Sequence, residues 1–175
     1  TFSSGGCTQI TSDVAVITIN QTPSISNKSD TICSGNTFTI TPDNSGGDTT
    51  PTGTTYTWSN PVIIPAGTIS GASAESIPQN DISQTLTNNT TSPATVSYTV
   101  TPTSEICVGV PFETTITINP SISITSSQIN SDCYFANSGS IETTITGGIP
   151  FSTGNAYLIS WSGPNGYLSS DEDIF

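Results

Sequence analysis

The chain has 175 residues, of which 13 are Asp or Glu and only one is basic, and with no His it carries a net charge of −12 at pH 7. A surface so poor in cations repels phosphate backbones and anionic lipid headgroups, which excludes nucleic-acid binding and adsorption to a membrane surface. Charged residues make up 8% of the chain against roughly 25% in an ordinary domain, while Ser and Thr supply about a third; that balance starves helix surfaces and favours strands throughout.

The first predicted strand closes on Ile17-Thr18-Ile19-Asn20, and the same ending returns at Ile116-Thr117-Ile118-Asn119. Both copies are preceded by a Cys and followed by Pro and Ser-Ile-Ser. Cys7 and Cys33 stand 26 residues apart, as do Cys107 and Cys133, and Cys7 and Cys107 stand 100 apart. A repeat of that length matches one small β-sandwich. The expected organisation is therefore a C-terminal tail of a preceding Ig-like module at residues 1–23, a complete β-sandwich at 24–120, and the N-terminal part of a different β unit at 121–175. The chain reads as an internal piece of a longer protein, with no signal peptide at its start and no run of about 18 apolar residues that could span a bilayer.

Within 24–120 the apolar residues alternate as half-buried strands require. Phe38 and Ile40 share one face, as do Tyr56 and Trp58; Ile82, Gln84 and Leu86; Val96, Tyr98 and Val100; and Phe112, Thr114, Ile116 and Ile118. Weaker strands fall near Val62 to Ile69. Pro- and Gly-rich stretches such as "TPDNSGGDTTPTG" and "NNTTSP" separate them. The predicted core is Phe38, Trp58, Tyr98, Phe112 and Ile116, with Trp161 in the following unit. "NQTPSISNKSD" and "NPSISITSSQINSD" read as short Pro-bearing connections, with Lys28 in the first. After Pro120 a strand carries Ile141, Thr143 and Ile145 on one face. A second carries Tyr157, Ile159 and Trp161, and the turn "SGPNGY" follows.

Four regularly spaced Cys in Pro/Thr-rich surroundings suggest an oxidising, extracellular setting. Cys33 can pair with Cys107 inside the complete copy, leaving Cys7 and Cys133 to partners outside the chain; alternatively Cys7 pairs with Cys33 and Cys107 with Cys133 across the junctions. The first pairing is preferred, because it fastens the start of one sandwich to a strand near its end. It would contribute roughly 4 kcal/mol in the chain-entropy model and withhold about 250 Å of extension.

The residues offer little for catalysis, so the chain is read as non-enzymatic. General acid–base work most often uses His, and developing anions are held by Arg, Lys or a metal; His and Arg are absent and Lys28 stands alone. The carboxylates are scattered through turns rather than paired as glycoside hydrolysis demands. No cofactor is implied, with calcium the one candidate ion: Asp43 and Asp48, with Asn44, or Asp171 and Asp173, with Glu172, could contribute oxygen ligands, although solvated turn acids account for them as well. Trp58 and Trp161 could stack on sugars, though a Trp between sheets is the commoner case. Asn20, Asn27, Asn88 and Asn89 fit Asn-x-Ser/Thr, a match that a chain rich in Asn and Thr yields by chance.

"TICSGNTFTITP", "TTYTWSNP" and "ATVSYTVTPTSEICVGVPFETTITINP" together resemble the PKD-like Ig-fold module that occurs in tandem in very large Bacteroidetes surface proteins. Cys133, "GSI" at 139–141, "TGG" at 146–148 and "YLISW" at 157–161 are similar to the SprB-type repeat of gliding adhesins. The resemblance implies export by a type IX secretion system, contact with the gliding machinery, and a cell-surface, outer-membrane-associated location without direct membrane insertion. It also implies O-glycan sites at Thr31 in "DTI" and Thr49 in "DTT". On this reading the chain is a structural stalk segment of a secreted adhesin. Its partners are neighbouring modules of the same chain, and external surfaces or polysaccharide. The alternative is a polysaccharide-binding accessory module of a secreted enzyme; an S-layer or ice-binding spacer differs from the stalk in context only.

Overall fold

The computed structural model of the chain describes residues 19–131 and 138–175. Cys7, Cys133 and most of the strand expected before Asn20 lie outside those residues. The strands between residues 28 and 119 are β1 (Lys28–Cys33), β2 (Thr37–Ile40), β3 (Thr54–Trp58), β4 (Val62–Ile64), β5 (Ile69–Ser70), β6 (Glu75–Gln79), β7 (Ile82–Thr85), β8 (Thr87–Asn88), β9 (Ala94–Ser104), β10 (Cys107–Val108) and β11 (Phe112–Asn119). The fold is an all-β, Ig-like sandwich.

β9 is its spine. Ala94, Val96, Tyr98, Val100, Pro102 and Ser104 are buried along its 11 residues, and every residue between them is half-buried or exposed, a strict alternation. Antiparallel β11 takes one edge, from Phe112 opposite Val100 to Ile118 opposite Ala94, and β10 continues that edge with Cys107 opposite Ser104. The other edge is divided between β3, from Thr54 opposite Ser104 to Trp58 opposite Val100, and β4, from Val62 opposite Ser97 to Ile64 opposite Thr95. Pro61 ends the first pairing and opens the second, because Pro cannot donate to a ladder. Parallel β1 beside β11 and antiparallel β6 beside β3 complete a 7-stranded sheet. The pairs β2–β7 and β5–β8 form the facing layer.

Aromatic rings fill the core, Phe38 of β2 meeting Tyr98 across the two layers and the other pairs lying within the large sheet. Phe38 and Tyr98 lie 5.7 Å apart, Trp58 meets Tyr98 edge-on at 6.3 Å, and Tyr56 meets Phe112 at 6.5 Å, the offset geometries that ring quadrupoles prefer. Phe38, Trp58, Tyr98, Phe112 and Ile116 are all buried. Gln84 shares its face with buried Ile82 and Leu86 because it supplies the polar partner the rings need. The Tyr98 hydroxyl donates to Gln84 Oε1 (2.8 Å), Gln84 Nε2 donates to the Ser73 carbonyl (3.0 Å), and the Trp58 indole N–H donates to the same carbonyl (3.0 Å). Burial pushes the Tyr98 phenol well above its ordinary value, so it remains a donor.

Three readings of the sequence are corrected here. Residues 123–129 form strand β12 (Ser123–Ile129) rather than a bare connection, paired antiparallel with β13 (Ser140–Thr146), Ile124 opposite Ile145. The second strand after Pro120 is confined to β14 (Trp161–Ser162), which turns through Pro164–Gly166 into β15 (Leu168–Ser169); Tyr157 instead donates its hydroxyl to the Gly147 carbonyl (2.7 Å). Trp161 is half-buried rather than core, because its indole N–H reaches outward to the Asp171 carbonyl (2.8 Å).

Thr114 is fully buried on β11, and its hydroxyl has no hydrogen-bond partner. A desolvated, unpaired hydroxyl costs on the order of 1 kcal/mol or more. Thr114→Val is expected to raise unfolding stability by about 1 kcal/mol, read as a higher urea midpoint at unchanged slope; a lower midpoint would show that the hydroxyl is satisfied.

Candidate functional site

The loop at 43–50 closes on itself. Asp43 Oδ1 accepts the Ser45 N–H (2.9 Å), Asn44 Oδ1 accepts the Thr50 N–H (2.6 Å), and the Thr50 hydroxyl donates to the Asp43 carbonyl (3.1 Å). This turns the buried Asp48 inward, where Oδ1 accepts the Ser26 N–H (2.8 Å) and Oδ2 takes Lys28 Nζ at 2.5 Å. Lys28, the chain's one cation, thus starts β1 and anchors it rather than lying in a free connection. The Lys28 ammonium first and the Ser26 amide second hold the Asp48 carboxyl below the usual carboxylate range. Burial, with Asp48 adding to it, pushes the Tyr56 phenol up to about 12.

The same pole of the sandwich receives the incoming chain. Ser24 and Thr49 exchange backbone hydrogen bonds in both directions (2.9 and 2.7 Å). Pro23 is fully buried and Ile25 is 9% exposed in the core cluster. The strap passes so close to Gly109 that a Cβ there would lie 2.4 Å from the Pro23 carbonyl oxygen, which only Gly permits. Asn20 donates its side-chain amide to the Glu105 carboxylate, and the Cys107 thiol donates to the Asn20 carbonyl at 3.8 Å. Residues 20–28 are therefore a docked strap. The sequence offered two signals for it, the solitary Lys28 and a Gly inside "CVGVPF".

The predicted bond between Cys33 and Cys107 is not formed. Both are free thiols, and they occupy opposite poles. Cys33 stands opposite Asn119, at the β9 end marked by Ala94, whereas Cys107 stands opposite Ser104, at the other end. The ten-residue span of β9 between them is about 33 Å at ~3.3 Å per residue, and a disulfide needs Cα atoms within about 7 Å. Sequence separation suggested a staple between the two ends of the fold, but the parallel pairing of β1 with β11, invisible to periodicity, carries Cys33 to the far pole.

The remaining candidates are dispersed. Asp48 is committed to Lys28, Asp173 accepts the Thr143 N–H (2.7 Å), and Asp171 holds the Ser169 hydroxyl (3.2 Å). Among the described residues no three His, Cys, Asp or Glu gather as a metal site would require. Thr31 is exposed on β1, whereas Thr49 is half-buried under the strap. Asn88 is buried, donating to the Ser92 and Ile118 carbonyls (2.8 and 2.9 Å). Asn27 accepts the Glu113 N–H, and Asn89 reaches Ser70. Trp58 is 5% exposed and presents no platform for a sugar. Trp161 lines an apolar cleft of about 410 Å³ with Ile122, Ile124, Ile145 and Tyr157.

The profile of the PKD-like domain matches residues 30–122. No curated protein matches the chain.

Asp48→Ala removes two charge-assisted hydrogen bonds and is expected to cost about 2–3 kcal/mol at pH 7. Asp48→Asn keeps an acceptor for Ser26 and should cost about 1 kcal/mol. Because folding lowers the Asp48 value below its ordinary 3.8, the clamp stabilises fully above about pH 4 and is lost as pH falls through the lowered value. Urea unfolding from pH 7 down to pH 2.5 should thus show a smaller acid loss for Asp48→Ala than for the parent chain; equal losses would remove the clamp from the account.

Proposed function

This chain belongs to the PKD-like domain family, and from that premise we propose that it is a non-enzymatic, extracellular stalk segment of a large secreted cell-surface adhesin serving surface attachment and gliding motility. The observation that carries the reading is the placement of the two ends of the sandwich. The strap arrives at the pole of Ser104 and Cys107, and β11 leaves at the pole of Ala94 and Cys33. Modules joined this way extend in line instead of folding back.

The docked strap supports the same conclusion, since a connection with Pro23 and Ile25 buried and Asp48 clamped to Lys28 cannot hinge freely. Ser/Thr-rich strand faces with few charges suit a long, hydrated surface molecule, and the net charge of −12 discourages such molecules from sticking to one another. Among the described residues no helix is long and apolar enough to cross a membrane. The motifs of residues 133–161 favour a SprB-type neighbour, and with it type IX export and the gliding motor. Adhesion itself then comes from weak contacts multiplied along the molecule.

Antibody against residues 24–120 should label intact, unpermeabilised cells that make the parent protein, and on gliding cells the label should travel along the surface. Signal that requires permeabilisation would falsify the proposal. The accessory-module alternative predicts a different result: retention of the chain on immobilised polysaccharide, lost on Trp161→Ala.

A further inference from the structure

We propose that where one PKD-like copy follows another, the joint is closed by a disulfide between the β1 cysteine of the first copy (Cys33 here) and the β10 cysteine of the second (Cys107 here), seated on an apolar rim formed by Ile106, Val108 and Val110. The inference rests on the tandem reading given above. Its starting point is the repeated Ile-Thr-Ile-Asn, which makes Asn20 the counterpart of Asn119. Each cysteine of the complete copy is placed against one of these two residues. Cys33 lies directly across the parallel β1–β11 ladder from Asn119, and the next residue, Ser34, donates its N–H to the Asn119 carbonyl at 2.8 Å. Cys107 touches Asn20, its thiol donating to that carbonyl at 3.8 Å.

Placing Asn119 of one copy in the position of Asn20 sets both cysteines beside the same residue. The earlier copy's β1 cysteine sits one strand spacing, about 4.8 Å, to the side of that Asn, while the later copy's Cys107 is already in contact with it. A disulfide needs Cα atoms about 4.4–6.8 Å apart. Cys33 is exposed and Cys107 half-buried, so neither is sealed in a core.

A second observation at this pole identifies what covers it. Ile106, Val108 and Val110 are 87%, 61% and 76% exposed, beside the residue through which the strap arrives. The strap is short and docked, so the body it delivers to this rim is the preceding copy. Closing the bond removes one proton and one electron from each thiol. A protein or small-molecule disulfide of the oxidising compartment takes them by exchange and leaves as two thiols.

The test is a chain in which residues 21–119 are written twice in succession, with Cys7 and Cys133 replaced by Ser, refolded in glutathione and glutathione disulfide. One variant keeps only the first-copy Cys33 and the second-copy Cys107; another keeps only Cys33 and Cys107 of the second copy. Unreduced digests should give a linked peptide pair in the first variant and two alkylated thiols in the second. Ile106→Asp with Val110→Asp in the second copy should lower the linked fraction severalfold. Free thiols in the first variant while its Trp fluorescence and urea midpoint remain native, or a bond in the second, overturn the proposal. Parent protein taken from cells gives an independent reading: Cys107 should be linked to the β1 cysteine of the preceding copy, not to Cys7. Cys107 found free, or linked to Cys33 or Cys133, refutes the joint. An intact cross-link in a protein that is not surface-exposed would leave the joint standing and remove the adhesin reading.

Discussion

Strand β9 admits only one register. A slip by a single residue would turn Ala94, Val96, Tyr98 and Val100 out into water and bring Thr95, Ser97 and Thr99 into the core, because side chains alternate faces with a period of two. Every other element of the sheet is placed by reference to this strand. β11 and β10 fill one edge, β3 and β4 share the other, and the facing layer meets β9 where the Phe38 ring packs on Tyr98. With both edges paired, β9 offers no open ladder to another chain, and the exposure that edge strands bring falls on β1, β6 and the short β4 and β10, as it must in any open sheet.

That fixed register also determines how the module meets its neighbours. Because β9 runs from one pole to the other, the turn at Glu105 and the strand β10 lie where the strap arrives, and the corner at Cys33 and Ser34 lies where β11 departs. Each pole is stiffened by local polar contacts. At the first, Asp48 binds both Ser26 and Lys28; at the second, Asn88 and Ser34 exchange hydrogen bonds and Asn88 holds the Ile118 carbonyl. Buried amides and carboxylates of this kind are specific because each leaves an unpaired partner if it moves. A joint between tandem copies, as proposed, would therefore inherit its geometry from the core.

Most of the sandwich was legible in the sequence because alternation reports burial directly. Phe38, Trp58, Tyr98, Phe112 and Ile116 could be assigned to the core from their spacing alone, and Thr114 and Gln84 were placed on buried faces despite their polarity. Pairing was less legible, since periodicity carries no information about which strand lies beside which. Hence the parallel alignment of β1 with β11 leaves no mark in the sequence, and neither do the positions of Cys33 and Cys107 that follow from it. The strap was hidden for another reason: its burial comes from isolated residues, Pro23 and Ile25, in a stretch whose composition reads as loop. In the sequence Asp48 reads as a solvated turn acid or a calcium candidate, because a turn carboxylate and a clamp carboxylate have the same local sequence. Only the distance to Lys28, 20 residues away in the chain, separates them.

The position of the cysteines changes how a pull along the molecule would be borne. A bond within each copy would shield the residues between Cys33 and Cys107 but leave every joint to the strap alone. With bonds across the joints, the shortest covalent route runs from the β10 cysteine of one copy to the β1 cysteine of the next, a span of 26 residues like that from Cys7 to Cys33, and then through sulfur into the copy beyond. That route advances two copies for about 90 Å of fully extended backbone at ~3.4 Å per residue. Two folded sandwiches, each at least as long as β9, already occupy about 70 Å before their straps are added. The covalent path is thus scarcely longer than the folded rod, so tension is transferred to it before β2 through β9 can be drawn out. A stalk built in this way keeps its length under load without requiring any single sandwich to be unusually stable.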